Sequence, residues 1–245
     1  MARPQTSIVC QSCGSVYSRW QGRCDDCGSW NTIEPEVEAI AAPSSSSGKK
    51  RKGQGLTLES LAGDAAPPPR FPTGTDEFDR ALGGGLVPGS ALLVGGDPGV
   101  GKSTLLLQPS AAIAARGKKT LYISGEEALD QIRLRAARLG VADAPVELAI
   151  GTALKDVIQT VKSAKPDVLV IDSIQTLWSE DLPSAPGTVA QVRACASELT
   201  RYAKNAGCTV VHVGRVTKEG QIDGPRVVEH LVDVVIYLET ETGRS

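Results

Sequence analysis

The chain contains the segment Gly96-Asp97-Pro98-Gly99-Val100-Gly101-Lys102-Ser103-Thr104. It matches the P-loop pattern G-x-x-x-x-G-K-S/T, in which glycines let successive backbone N–H groups point at phosphate oxygens. Residues 91–94 before it form an apolar run typical of a buried strand, and the leucines at 105–107 open an apolar helix. A helix N-terminus at this point favours an anion, whereas a Gly-rich turn that matched by chance would lack this setting. The segment therefore predicts a nucleotide-binding site.

The last three residues of the P-loop have expected roles. We expect Lys102 to contact the β- and γ-phosphates of ATP, the Ser103 hydroxyl to bind Mg²⁺, and Thr104 to lie toward the α- and β-phosphates. Residues 168–172 read Val-Leu-Val-Ile-Asp, which is typical of a Walker B strand that ends in an acid. Asp172 is then expected to hold Mg²⁺ through its water shell, the alternative being an aspartate that only caps a turn.

Hydrolysis also needs a group that orients water, and Ser124-Gly125-Glu126-Glu127 offers two carboxylates. Ser124 and Glu127 fit the capping box S-x-x-E, which would place the Glu127 carboxylate on backbone amides at a helix start. Glu126 would then be free to face the nucleotide. We therefore predict Glu126 as the water-orienting base, acting with Lys102 and Asp172, and keep Glu127 as the alternative.

Four of the six cysteines form two C-x-x-C pairs, Cys10 with Cys13 and Cys24 with Cys27. Two such turns present four thiolates in a tetrahedron, which is typical of a structural Zn²⁺ ribbon. The pairs are closer together than is usual, so the hairpin between them must be compact. Disulfides are the alternative, disfavoured because no signal peptide precedes the pairs.

Composition divides the chain of 245 residues into three parts. Residues 1–34 form the predicted zinc ribbon, in which Trp20 and Trp30 are expected to cover the small core rather than stack on a base. Residues 35–70 include a Ser-rich and a Lys/Arg-rich run and read as a flexible linker, with a short helix at 56–61. Residues 71–245 alternate strand and helix patterns, which predicts an α/β core with a mainly parallel sheet covered on both faces.

The formal net charge of −2 gives no overall attraction to nucleic acid, so any such contact must come from local patches. No apolar run approaches the length of a membrane span, and we expect a cytoplasmic protein without membrane contact.

Two polar loops of the predicted core, at 179–187 and 214–226, are long for an α/β fold, and such loops are usually functional. Arg193, Lys218 and Arg226 either hold the phosphates of single-stranded DNA or are simply solvated, and the sequence leaves both readings open.

Other core residues have structural predictions. Apolar residues at helical spacing predict a buried stripe, consisting of Val189, Val192, Ala196, Leu199 and Ala203. Cys195 and Cys208 are expected to be buried free thiols, and His212 and His230 to be hydrogen-bonded structural histidines.

Together these residues resemble the bacterial RadA (Sms) family of DNA-repair ATPases in the RecA superfamily. The resemblance covers nearly the whole chain and rests on the cysteine ribbon and on six further segments, at 72–74, 82–90, 95–104, 124–127, 184–187 and 216–220. It implies a RecA-like P-loop ATPase core that binds ATP and Mg²⁺ and works as a homo-hexamer. It also implies a DNA-stimulated ATPase of homologous recombination and repair, which promotes branch migration on single-stranded and branched DNA alongside the RecA recombinase. Glu126 is the catalytic glutamate in this resemblance, and the two loops contact DNA.

The sequence departs from this family at three points. Arg215 stands where relatives usually have histidine, and Pro109 falls in the P-loop helix, where it cannot donate to the Leu105 carbonyl and should kink the helix. The family's Lys-Asn-Arg-Phe-Gly motif and Lon-protease-like domain would follow Ser245. We therefore expect this chain to bind ATP but to hydrolyse it slowly and to form rings weakly.

Two further readings differ from a DNA-repair motor. One is a RecA-fold regulatory switch of the KaiC type, which uses ATP to change its protein partners. The other is a passive zinc-ribbon adaptor whose nucleotide is structural.

Overall fold

The computed structural model describes residues 7–10, 15–36, 60, 68–215 and 225–239. Within this part of the chain, none of the helices has the length and apolar character that a bilayer span requires.

A small antiparallel sheet holds the cysteine-rich segment. Its strands are β1 (Ser7–Cys10), β2 (Val16–Tyr17) and β3 (Ile33–Glu36), with β1 in the centre. Cys10, Cys24 and Ile33 are its fully buried core. A core of this size provides little hydrophobic stabilisation, which is the usual reason for a metal in so small a fold.

The larger unit alternates strands and helices. In chain order these are α1 (Asp76–Ala81), β4 (Ala91–Gly96), α2 (Lys102–Ala115), β5 (Thr120–Ser124), α3 (Leu129–Arg138), β6 (Val146–Ile150), α4 (Leu154–Ala164), β7 (Val168–Asp172), α5 (Val189–Ala206), β8 (Thr209–Val213), α6 (Pro225–Glu229) and β9 (Val234–Leu238). A short 3₁₀ turn, Ile174–Thr176, follows β7.

The six strands of this unit form one parallel sheet in the order β6-β5-β7-β8-β4-β9. Parallel strands share one carboxyl edge, so the residues that follow β4, β5, β7 and β8 gather there, where ligands bind in open α/β sheets. The predicted fold class, a RecA-like P-loop core with a mainly parallel sheet behind a cysteine ribbon, is confirmed.

Apolar side chains cover both faces of this sheet, because successive strand residues point to opposite sides. Leu93 packs with α4 and α5, whereas Leu92 and Val94 pack with α1, α2 and α3. The predicted stripe of α5 is confirmed, since all five of its residues are buried. Cys195 and Cys208 are buried beside it, and burial raises the pKa of each thiol to about 12.

Three local predictions have different outcomes in the structure. The helix whose start the capping box placed at Ser124 begins only at Leu129, because both glutamates lie in the loop after β5. Helix α2 continues through Pro109 to Ala115 as one element, and the kink expected at the proline stays a prediction. The helix expected at 56–61 lies outside the described residues, apart from Ser60.

Candidate nucleotide site and metal ribbon

The P-loop connects β4 to α2 at the carboxyl edge of the sheet. Gly96 ends β4 with φ +152°, and a Cβ there would lie 2.6 Å from the carbonyl oxygen of Leu238 in the neighbouring β9. Gly101, with φ +95°, directly precedes the first helical residue, Lys102. The first backbone N–H groups of α2 therefore face the loop, an arrangement that suits a phosphate.

Lys102 holds its ammonium over this loop. Its side chain is buried, and Nζ donates hydrogen bonds to the carbonyl oxygens of Gly96 at 2.7 Å and Asp97 at 2.8 Å. Ser103 and Thr104 follow it as half-buried residues in the first turn of α2. A cation and two hydroxyl groups thus stand at one helix N-terminus, which is the donor set that a polyphosphate with Mg²⁺ requires.

The charges around Lys102 identify the groups that share the site. Burial lowers the pKa of Lys102, and this is the largest influence on it. The carboxylate of Asp172 raises the same pKa, as do Asp97 and Glu126, whereas the Arg215 guanidinium lowers it. The structure therefore brings together Lys102 and both predicted acids, although they lie on three different segments of the chain.

Asp172 is the last residue of β7, and its position is fixed on two sides. Its backbone carbonyl accepts a hydrogen bond from Gly125 N–H at 2.8 Å, and its Oδ2 accepts one from the hydroxyl of Tyr122. The register pairs Asp172 with Ser124 on β5 and with Val213 on β8. The carboxylate therefore stands at the middle of the carboxyl edge, as expected for a group that holds Mg²⁺.

Glu126 lies next to Asp172 and is held by two donors. Its Oε1 accepts a hydrogen bond from Ser173 Oγ at 2.8 Å, and its Oε2 accepts one from the Arg215 guanidinium at 2.8 Å. The preceding Gly125 passes so close to the 3₁₀ turn that a Cβ would lie 1.9 Å from Thr176 Oγ1. The sequence singled out Arg215 as unusual but gave no sign of its contact with Glu126.

Glu127 corrects part of the capping-box prediction. Ser124 Oγ does accept a hydrogen bond from Glu127 N–H at 2.9 Å, as predicted. The Glu127 carboxylate, however, accepts two hydrogen bonds from Arg135, at 2.7 and 2.5 Å, and does not return to Ser124. A bidentate guanidinium pair is stronger than one bond to a backbone amide, which is why this side chain pairs with Arg135 of α3 and not with the Ser124 amide.

The cysteine ribbon brings three sulfur atoms together. The Sγ atoms of Cys10, Cys24 and Cys27 all lie within 4.8 Å of one another, and those of Cys10 and Cys27 are 3.7 Å apart. A Zn–S bond of about 2.3 Å in a tetrahedron gives a sulfur separation of about 3.8 Å, whereas a disulfide needs about 2.05 Å. The described thiols therefore fit a metal rather than a disulfide. Cys13, the fourth predicted ligand, lies outside the described residues.

The tryptophans of the ribbon do not cover its core, which corrects the prediction. Trp20 is 62 % exposed and Trp30 is 69 % exposed. Both rings lie about 4 Å from the position that a Cβ on Gly22 would take, and the Arg23 guanidinium lies 5.8 Å from the centre of the Trp30 ring. Among the described residues, buried thiols and Ile33 form the small core instead.

The predicted DNA contacts are only partly described. Arg193 is exposed on α5. Lys218 lies outside the described residues, and Arg226 lies in α6 with its side chain outside them. These three residues remain predictions.

Gln191 organises the loop at 179–187, a role that was not predicted from the sequence. Its side chain is buried, accepts a hydrogen bond from Ser179 N–H at 2.7 Å and donates to the carbonyl oxygens of Ser179 at 3.1 Å and Ser184 at 2.8 Å. A glutamine beside the apolar stripe of α5 was the signal available in the sequence.

Comparisons with known proteins agree with this geometry. Residues 70–221 match the family described as an AAA domain, and residues 9–35 match the family described as a rubredoxin metal binding domain. A KaiC-like protein from the archaeon Pyrococcus horikoshii has a similar fold, with a TM-score of 0.59 and 22% identity over 73% of this chain and 85% of its own.

Several curated relatives are named DNA repair protein RadA. The relative from Brucella abortus is 54% identical over 99% of this chain, that from Pseudomonas aeruginosa 48% over 99%, and that from Escherichia coli 44% over 96%. The chain spans 54%, 53% and 52% of these relatives, or about half of their length. The chain therefore belongs to the AAA domain family and, as its motifs indicated, resembles the RadA proteins over nearly all of its own length.

Proposed function

We propose that this chain is an ATP hydrolase of DNA repair, which couples ATP turnover to the processing of branched recombination intermediates. The observation that carries the proposal is that Lys102, Glu126 and Asp172 lie at the carboxyl ends of β4, β5 and β7, at one edge of one parallel sheet. The proposed activity extends to the branch migration, the partnership with the RecA recombinase and the homo-hexameric ring that the resemblance implies. Similarity to RadA proteins over 99% of the chain supports it.

The side chains present can perform the steps that hydrolysis needs. Lys102 would bind phosphate oxygens, and the Ser103 hydroxyl and Asp172 would hold Mg²⁺, which when bound would neutralise charge on the phosphates. Glu126 orients the attacking water, and Ser173 keeps one of its oxygens directed. Arg215 places a positive charge beside the same carboxylate.

The contacts with DNA and metal are proposed on separate grounds. Single-stranded and branched DNA are proposed to meet Arg193, Lys218 and Arg226 on the carboxyl side of the sheet. The ribbon is proposed to hold Zn²⁺ through Cys10, Cys13, Cys24 and Cys27, because the three described thiols have the required spacing. Its role is then to stabilise a segment whose apolar core is too small.

The test of the proposed function is the rate of ATP hydrolysis with and without single-stranded DNA. We expect slow hydrolysis that single-stranded DNA raises to a small but measurable extent, and expect Lys102→Ala to abolish it because the variant removes the cation that binds phosphate. Hydrolysis indifferent to DNA would contradict the proposal and favour the KaiC-type regulatory switch. ATP binding without any hydrolysis would favour the adaptor with a structural nucleotide.

The salt dependence of DNA binding tests Arg193. If its guanidinium contacts a phosphate, Arg193→Ala lowers affinity and reduces the log–log salt slope by about 0.7 for single-stranded DNA. The matched control is Arg138→Ala, since Arg138 is an exposed arginine that ends α3 and therefore lies toward the opposite edge of the sheet. Equal slopes for both variants and the unmodified chain would show that Arg193 is solvated and does not contact a phosphate of DNA.

A further inference from the structure

Tyr122 is a buried tyrosine that reaches into the nucleotide site. It lies in β5, is 1 % exposed and packs in the apolar cluster that includes Leu106 and Ile132. The register pairs Tyr122 with Val170 on β7, yet its hydroxyl donates to Oδ2 of Asp172, two residues further along that strand. The phenol therefore extends from the core toward the carboxyl edge, where the P-loop lies.

The hydrogen bond leaves the two oxygens of Asp172 unequal. Within the described part of the chain, Tyr122 is the side-chain donor to Asp172, and it contacts Oδ2. The other oxygen, Oδ1, is then the one left available to a cation. Without this hydrogen bond the Asp172 carboxylate could rotate, and either of its oxygens could then be presented to a cation, at a different distance from the site.

The phenol is the donor of this contact. An ionised carboxylate can only accept hydrogen bonds, so the proton between the two groups belongs to Tyr122. Tyr122 therefore donates to the carboxylate rather than competing with it for a cation.

We propose that Tyr122 is a positioning residue that fixes which oxygen of Asp172 is presented to the Mg²⁺ of the site. This inference rests on the proposed ATPase function. Partners that orient a metal-binding carboxylate usually matter about 10- to 100-fold for metal affinity. The phenol acts through Asp172 and is not itself expected to contact nucleotide or metal.

The test is Tyr122→Phe, which keeps the buried ring and removes only the hydroxyl. The matched control is Tyr202→Phe, because the Tyr202 hydroxyl donates to the Val161 carbonyl at 3.2 Å, under helix α4 and away from the P-loop. Two quantities are measured: the Mg²⁺ concentration that half-saturates binding of a fluorescent ATP analogue, and Mn²⁺ binding with ATP by electron paramagnetic resonance.

We expect Tyr122→Phe to raise the half-saturating metal concentration about tenfold in both measurements. Binding of the analogue in the presence of EDTA should not change, and Tyr202→Phe should match the unmodified chain. A purely structural hydroxyl would lower the melting temperature and leave metal affinity as it was. Unchanged metal affinity in Tyr122→Phe would overturn the inference.

A double-variant cycle decides the matter even if Tyr122→Phe loses stability. Because Tyr122 acts through Asp172, adding Tyr122→Phe to Asp172→Asn should not weaken metal binding further. A further tenfold loss in the double variant would overturn the inference. If the unmodified chain failed to bind the analogue at any Mg²⁺ concentration, both the proposed function and this inference would be contradicted. If binding depended on the metal but was unchanged in Tyr122→Phe, only this inference would be contradicted.

Discussion

Two adjacent glutamates, Glu126 and Glu127, differ in what surrounds their carboxylates. Glu126 accepts hydrogen bonds from Ser173 and Arg215, and its negative charge raises the pKa of Lys102. Glu127 is held by Arg135 on α3. Neighbours in sequence therefore have different expected roles, one toward the nucleotide and one toward the stability of the loop.

Glu126→Gln is expected to retain ATP binding and to lose turnover, on the order of 10²-fold or more. The amide keeps the shape of the side chain but cannot accept a proton from water. Nucleotide affinity and steady-state hydrolysis, measured on the same preparation, check this. Full turnover in Glu126→Gln would show that another group orients the water.

Glu127→Gln is the matched variant and is expected to retain turnover while lowering stability. It breaks the bidentate pair and leaves the Arg135 guanidinium, whose side chain is 18 % exposed, without its carboxylate. Lost hydrogen bonds to a charged group cost about 1.5–3 kcal/mol. Denaturant unfolding checks this, and loss of turnover with unchanged stability would exchange the roles of the two glutamates.

At the scale of elements, α2 carries a proline through its interior. Pro109 is buried, and as an imino acid it cannot donate to the Leu105 carbonyl. An interior proline costs a helix about 3 kcal/mol relative to alanine, and the loss of the buried ring on substitution offsets part of that. We therefore expect Pro109→Ala to stabilise the core by about 1–2 kcal/mol.

Thermal unfolding measures this change, which corresponds to an increase in melting temperature of about 2–8 °C for a chain of this size. Gln108→Ala, an exposed neighbour in the same helix, should change stability by less than about 0.5 kcal/mol. A lower melting temperature in Pro109→Ala would mean that the ring packs better than the missing hydrogen bond costs.

The ribbon is the element expected to depend on metal. Cys24→Ser should remove the bound zinc, because one ligand fewer leaves the tetrahedron incomplete. Elemental analysis of the purified chain checks this. The control is Cys195→Ser, which replaces a buried thiol of the α/β core and should leave the zinc of the ribbon in place. Both variants should still bind ATP. Zinc retained at full occupancy in Cys24→Ser would contradict the assignment of Cys24 as a zinc ligand.

At the scale of the whole molecule, His212 links core stability to pH. It is fully buried in β8, and within the described residues neither ring nitrogen has a hydrogen-bond partner, which corrects the expectation of a hydrogen-bonded histidine. Burial lowers the pKa of His212 from its ordinary 6.5 to about 4. Unfolding therefore takes up a proton between pH 4 and 6.5, so stability is complete above pH 6.5 and falls as the pH decreases toward 4.

The expected contribution is about 3 kcal/mol across that range. Since carboxylates titrate there as well, the quantity to measure is the difference in the free energy of unfolding between the unmodified chain and His212→Leu at several pH values. We expect His212→Leu to flatten the decline, and His230→Gln, at an exposed position, to leave it unchanged. Parallel curves for His212→Leu and the unmodified chain would contradict this assignment.

The sequence alone determined those parts of the protein that depend on local spacing. The glycines of the P-loop shape the backbone around a phosphate, two residues between cysteines set a metal-binding turn, and alternating strand and helix patterns require a covered parallel sheet. The first two depend on residues within one short segment, and the third is a series of such segments along the chain. The fold class and the positions of Lys102 and Asp172 at one sheet edge could therefore be predicted before any coordinates.

Only the tertiary structure decided which side chains meet across the sheet. Glu126 meets Ser173 from 47 residues away, and Tyr122 meets Asp172 from 50 residues away. The exposure of Trp20 was equally hidden, because it depends on how the ribbon packs in three dimensions and not on the residue type alone. Contacts of this kind follow from strand order and packing volume, which a linear pattern of residues does not contain.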